Sequence, residues 1–143
     1  MTIVDDTSWT KGWRLEELVD DALDTMKSVD IIKDYKRYLN DDSKPDFEVD
    51  DDIGIEIKNW DPDKKTTINK HVLETKIISR FKGRGWKKKV LIIPKLRFYP
   101  PDEKECRNIL RDYIIIELGY FVTKDNEKET MAKLLDKLPN IFM

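Results

Sequence analysis

At 143 residues the chain has the size of a single domain built around one hydrophobic core. Charged side chains make up 39% of it, well above the usual figure of about a quarter, yet Lys+Arg 27 against Asp+Glu 29 leaves a net charge of -2, which excludes a uniformly basic nucleic-acid coat. One cysteine, Cys106, and one histidine, His71, exclude an internal disulfide, a Cys-rich zinc site and any two-histidine metal site, and the aromatic and Ile/Val content excludes a disordered chain.

In chain order, Trp13–Lys27 carries Leu15, Leu18, Val19, Ala22, Leu23 and Met26 at helical spacing, which predicts an amphipathic helix. Val29–Leu39 alternates poorly; it fits a strand better than a helix ending near Asn40. Pro45–Asp50 and Ile53–Trp60 both alternate with period two around an Asp-rich turn and predict a β-hairpin, followed by a loop over Asp61–Lys65. Thr67–Phe81 has Ile68, Val72, Leu73, Ile77, Ile78 and Phe81 on one stripe, a second helix broken by Gly83 and Gly85. Lys89–Leu96 is a short apolar run typical of a buried central strand.

Pro100-Pro101-Asp102 opens a third predicted helix that runs to Leu118, with Cys106, Ile109, Leu110, Tyr113 and Ile114 inward and Gly119 as its stop. Tyr120–Thr123 reads as a short strand, and Asn126 caps a last helix that Pro139 ends. The order is α-β-β-β-α-β-α-β-α, one domain, an α/β sandwich around a mixed sheet. The longest apolar stretch, near Tyr113–Ile116, is too short to span a bilayer and no secretory signal opens the sequence, so a soluble domain of the cytoplasm is expected.

Charge is distributed unevenly. Asp41–Asp63 is dominated by acids, whereas Arg80–Lys89 carries Arg80, Lys82, Arg84, Lys87, Lys88 and Lys89 with no acid among them. In the hairpin, Ile53, Ile55, Ile57, Phe47 and Val49 belong to one face, and Asp46, Glu48, Gly54, Glu56 and Lys58 to the other. Apolar residues must oppose apolar ones across an antiparallel pair, so the simplest register sets Val49 opposite Ile53, Phe47 opposite Ile55 and Asp46 opposite Glu56. Two carboxylates at about 5 Å repel unless a cation sits between them, which makes the pair a cradle for a divalent ion. Mg²⁺, or Mn²⁺, suits such oxygen ligands, and Lys58 projects from the same face about 6.6 Å further on, where it can orient a water or stabilise phosphorane charge.

Pro45-Asp46 on one strand and Glu56-Ile57-Lys58 on the next resemble the PD-(D/E)XK nuclease superfamily, with its restriction-endonuclease-like αβββαβ core. Lys11-Gly12-Trp13-Arg14-Leu15-Glu16 resembles the first-helix element of Holliday-junction resolvases. The resemblance implies that Asp46, Glu56 and the Ile57 carbonyl bind Mg²⁺, that Lys58 assists the attacking water, and that Glu16 completes the metal shell or positions water. Glu17 is the alternative helix acid; Glu16 borders the apolar stripe, whereas Glu17 joins Asp20, Asp21 and Asp24 on the outer face.

Other acid-x-Lys triplets, Asp34-Tyr35-Lys36 and Glu74-Thr75-Lys76, lack this context, as does Pro62-Asp63. The bland reading of the hairpin is a solvated face with a Lys44–Glu56–Lys58 charge ladder. Arg80, Lys82, Arg84, Trp86, Lys87, Lys88 and Lys89 read as a strip along a DNA backbone, or as a solvated loop with Phe81 and Trp86 in the core. Trp9 and Trp13 can flank the same groove, although core packing suits at least one of them better. His71 is a partly exposed helix residue, and Cys106 is inert core. The function expected is a metal-dependent DNA endonuclease acting as a homodimer, possible on structured substrates such as junctions; the alternative is a non-catalytic nucleic-acid-binding or assembly protein of the same fold.

Overall fold

The computed structural model describes the backbone of residues 8–64 and 67–143, with side chains from residue 13 onward. Among the described residues the elements are α1 (Ser8–Ser28), β1 (Tyr35–Arg37), β2 (Phe47–Val49), β3 (Ile53–Ile57), α2 (Lys70–Val72), β4 (Lys88–Ile93), α3 (Glu103–Ile109), β5 (Ile114–Glu117) and α4 (Glu127–Phe142). The five strands form one mixed sheet in the order β1-β2-β3-β4-β5. The β1–β2 and β2–β3 pairs are antiparallel, and the β3–β4 and β4–β5 pairs are parallel. None of the helices among these residues is long and apolar enough to cross a membrane.

Side-chain alternation in the sheet sorts the core into two layers. Phe47, Val49, Ile53, Ile55, Ile57, Val90, Ile92 and Ile116 pack on one face with the apolar stripe of α1 and with Leu134, Leu138 and Ile141 of α4. Leu91 and Ile93 face the other way, onto Leu73, Ile77 and Phe81 of the 70–81 helix and Cys106 and Leu110 near α3. Burial of each such Leu, Ile or Phe contributes about 1.5–3 kcal/mol. The hairpin register is the one its alternation requires: Phe47 faces Ile55 and Val49 faces Ile53. Asp50 and Asp51, both with positive φ, close the turn.

The 70–81 helix begins at Asn69, not Thr67; the Asn69 side chain accepts from the Val72 N–H at 2.7 Å. After α2 it widens to π geometry over Leu73–Ile77 and tightens to 3₁₀ over Ile78–Phe81. Leu73, Ile77 and Phe81 recur every fourth residue, a spacing that drifts by about 40° per step on a regular helix of 3.6 residues per turn. The wide turn lets all three stay on the sheet. Ile68 precedes the helix, in a parallel bridge with Phe98.

Three expectations in the C-terminal part are overturned. Helix α3 ends at Ile109, and Ile114–Glu117 is not helix but strand β5, parallel to β4. Three consecutive β-branched isoleucines favour a strand there over continued helix. Tyr120–Thr123 is not a strand, because Val122 pairs with a side chain instead: its N–H donates to Asn59 Oδ1 at 3.1 Å and its carbonyl accepts from Asn59 Nδ2 at 3.0 Å. Pro139 does not end α4, which runs on to Phe142 without the bond that proline cannot donate, because Leu138 and Ile141 are both buried. Asn126 does stand at the N-cap of α4, but its side chain bonds back to the Thr123 N–H at 2.9 Å rather than capping the helix.

Gly54 lies on the sheet face that the 70–81 helix covers. A Cβ there would lie 2.9 Å from Phe81 Cε1 and 3.1 Å from Pro45 Cγ. Gly54→Ala is therefore expected to lower unfolding stability by about 1–3 kcal/mol through overpacking, read from the urea midpoint at unchanged m-value.

Candidate functional site

Glu56 and Lys58 lie at the C-terminal end of β3, and Asp46 lies just before β2. The face that carries them is not solvated. Glu56 is 2% exposed and Glu48 7%, since the 70–81 helix covers this face. One rung of the expected charge ladder is present, Lys58 Nζ to Glu56 Oε2 at 2.9 Å. Lys44 is not the other rung; its Nζ sits 4.5 Å above the Tyr38 ring.

Asp46 and Glu56 meet through backbone as well as through space. The Asp46 N–H donates to Glu56 Oε1 at 3.1 Å, and the Ile57 N–H donates to Asp46 Oδ2 at 2.8 Å. Continued by one pair, the β2–β3 register sets Ile57 opposite Pro45, which has no N–H to give. The Ile57 carbonyl lies on the same strand edge as its N–H, so it faces the Asp46 side without a ladder donor from Pro45.

Two further elements close the site. Glu16 of α1 comes from the opposite layer to line the same cleft as Asp46, close enough for the two carboxyls to repel. It is Glu16 and not Glu17 that lines the cleft; Glu17 binds Arg37 Nη1 at 2.5 Å. Arg37 also lies 3.5 Å from Glu16 Oε2 and 3.1 Å from Asp20 Oδ2, so it anchors the acidic side of α1 to β1. Arg80, expected on the DNA strip, turns into the site instead. Its Nη1 is 2.8 Å from Asp42 Oδ1 and its Nε 3.7 Å from Glu56 Oε2. The cleft that gathers these groups holds about 480 Å³, with Trp13, Tyr38 and Leu39 at its edges.

Electrostatics follow from burial and crowding. Desolvation, then repulsion from Glu56, pushes the Asp46 carboxyl up to about 7. Desolvation, then repulsion from Asp46, does the same to Glu16, also to about 7. Burial raises Glu56 too, opposed by the charges of Lys58 and Arg80. The donor set is carboxylate and carbonyl oxygen, the chemistry that Mg²⁺ or Mn²⁺ takes, and a cation would relieve the repulsion that raises these groups. Among the described residues, though, no three His, Cys, Asp or Glu side chains are already arranged as a metal cage.

The remaining strip residues are not one surface. Lys88 Nζ donates to the Ile141 carbonyl near the end of α4, while Lys89 Nζ sits 4.4 Å above Tyr113 on the other layer. Arg84 binds Glu48 Oε1 at 3.1 Å and lies 3.9 Å above the Trp86 ring, which is half-buried with its edge toward Phe81. Lys82 and Lys87 are exposed. The side chains of Trp9 and Lys11 lie outside the described residues, as does Lys65 of the expected loop; Trp13 is 48% exposed. His71 is exposed and Cys106 buried, both away from the cleft. Sequence reading missed Arg37 and Tyr38, for which β1 gave no chemical motif, and the inward turn of Arg80, whose only signal was helical spacing after Ile77. No family model, curated protein or solved structure matches the chain.

A group whose carboxyl is raised on folding binds more protons in the native state than in the unfolded one between the two values, so it costs stability as pH rises through that window. For Asp46 and Glu16 the window runs from the ordinary carboxylate range to about 7. Asp46→Asn is expected to stabilise the metal-free protein by about 1–3 kcal/mol at pH 8 and by much less at pH 4.5. Melting curves at the two pH values check this; an equal shift at both would mean the carboxyls are not crowded.

Proposed function

We propose that this chain is a metal-dependent DNA endonuclease with a restriction-endonuclease-like core. The observation that carries the reading is the convergence of Asp46, Glu56, Lys58 and Glu16 on one cleft from two strands and a helix of opposite layers. Asp46, Glu56 and the Ile57 carbonyl would hold Mg²⁺ or Mn²⁺, which when bound supplies Lewis-acid stabilisation of charge on a phosphodiester. Lys58, 2.9 Å from Glu56, would exchange that carboxylate for the attacking water and neutralise the charge developing on phosphate oxygen. Glu16, whose carboxyl burial and the nearby Asp46 raise, would accept a proton from that water. Arg80 would counter the acidity of the cleft floor toward the incoming phosphate. Cutting both strands of a duplex calls for two such sites, hence a homodimer, and the cell interior is the fitting compartment.

A second reading has its own observation. Glu56 is already neutralised by Lys58 and Arg80, as in a non-catalytic nucleic-acid-binding protein that keeps the architecture.

Plasmid nicking with Mg²⁺ or Mn²⁺, and with EDTA, separates the two. The wild type is expected to nick only with the metal, and Glu56→Gln and Lys58→Ala each to lose about 10²-fold or more in rate. Binding without nicking supports the second reading, and wild-type rates in both variants sink the proposed site. The metal is also expected to raise the melting temperature of the wild type, and less so that of Glu56→Gln.

A further inference from the structure

Beside the cleft lies a second hollow of about 460 Å³, which shares Tyr38 and Arg80 with it as common wall. The two differ in charge. The cleft is lined by Glu16, Asp41, Asp42, Asp46 and Glu56 against Lys58 and Arg80. The neighbouring groove is lined by Lys36, Lys44, Arg80 and Arg84 against Glu48 and Asp51. An anionic chain that places one phosphate in the acidic cleft therefore finds its counter-charge immediately next door.

The groove also presents aromatic rings with cations upon them. Lys44 Nζ is 4.5 Å above Tyr38, and the Arg84 guanidinium is 3.9 Å above Trp86. Trp86 is anchored edge-on to buried Phe81, so its ring is held in place from the core side. One buried donor in its wall, Trp86 Nε1, has no hydrogen-bond acceptor. Buried donors without acceptors are uncommon and mark a site for an acceptor that rearrangement admits. Cations, a fixed ring and an unmet donor together suit a nucleotide whose base is not paired: the ring stacks, and phosphate oxygens take the cations. A volume of this order holds a small-molecule-sized group, not the width of a duplex.

We propose that the groove between Tyr38–Lys44 and Arg84–Trp86 seats an unpaired nucleotide of DNA flanking the phosphate in the cleft, which makes the preferred substrate one with a single-stranded tail or branch. The inference rests on the nuclease reading for its cleft and adds the substrate class. Arg84 leaves Glu48 for phosphate on binding, and Glu48 keeps the Tyr38 hydroxyl, 3.1 Å away, and Lys36, 3.9 Å away.

The test is fluorescence anisotropy of the wild-type chain in EDTA with two labelled DNAs, a blunt duplex and the same duplex with a short unpaired tail. The tailed duplex is expected to bind at least about fivefold tighter, the effect of roughly one stacked base. In a Lys44→Ala/Arg84→Ala variant the ratio is expected to fall to about one. Both side chains are exposed, and a melting curve confirms that the variant folds. Trp86→Phe is expected to retain part of the preference and Trp86→Leu to lose it. Equal binding of the two DNAs by the wild type, no binding of either, or an unchanged ratio in the double variant overturns the proposal. Mg²⁺-dependent nicking measured alongside keeps the two readings apart: nicking without tail preference removes the groove alone, and tail preference without nicking removes the nuclease reading alone.

Discussion

Glu56 stands near the end of the middle strand of the sheet, 2% exposed, and a carboxylate there has lost almost all its water. Burying an ionised group without compensation costs several kcal/mol, so its neighbours must supply what solvent no longer does. They come from three directions: the Asp46 N–H from the adjoining strand end, Lys58 from the same strand, and Arg80 from the covering helix. Asp46 is then forced close to Glu56, and Glu16 close to Asp46, so that the cost passes along a row of carboxyls in which burial and repulsion raise Asp46 and Glu16 to about 7. The arrangement is paid for elsewhere in the fold, by layers of aliphatic burial on both sides of the sheet.

Each contributor depends on a different structural device. Pro45 has no N–H to give, which leaves the Ile57 carbonyl without a ladder donor, while the Ile57 N–H donates to the Asp46 side chain. Gly54 leaves room for Phe81, and the wide turn over Leu73–Ile77 brings Phe81 into that room with Arg80 beside it. Arg37 draws Glu16, Glu17 and Asp20 of α1 toward β1, which fixes the helix face that meets Asp46. The site is thus a seam between two cores. Loosening either layer moves a charge within it.

The parts legible in sequence were those set by parity. With side chains alternating strictly, one apolar pattern admits only registers that keep Phe47 and Val49 against isoleucines, and the observed register is the simplest of them. Parity does not reveal what covers the other face. A row of Asp46, Glu48, Glu56 and Lys58 reads alike whether water or a helix lies over it, so the burial of Glu48 and Glu56 was invisible. The strand at Ile114–Glu117 was hidden for a related reason: Ile109, Leu110, Tyr113 and Ile114 continue the apolar spacing of Cys106, and the β-branched run Ile114–Ile116 outweighs it once it pairs with Val90–Ile93. Pro139 misled because a stop signal was outweighed by the buried Leu138 and Ile141 on either side.

Charge clustering in sequence likewise fails to become a charged patch in space. Arg80 and Arg84 spend their charge on Asp42, Glu56 and Glu48, all drawn from the acidic segment, while Lys88 serves a helix-end carbonyl and Lys89 a tyrosine ring. The acidic and basic halves have folded onto one another. A polyanion approaching this surface therefore meets cations that must first be released from internal partners, and each exchange replaces a protein carboxylate with a phosphate. In the proposed complex with DNA, the net gain would come from counterions set free along the nucleic acid rather than from bare positive charge on the protein. On the nuclease proposal such a surface would discriminate by geometry, because only a ligand that places phosphates where Glu48 and Asp42 now hold the guanidinium groups could offset their loss.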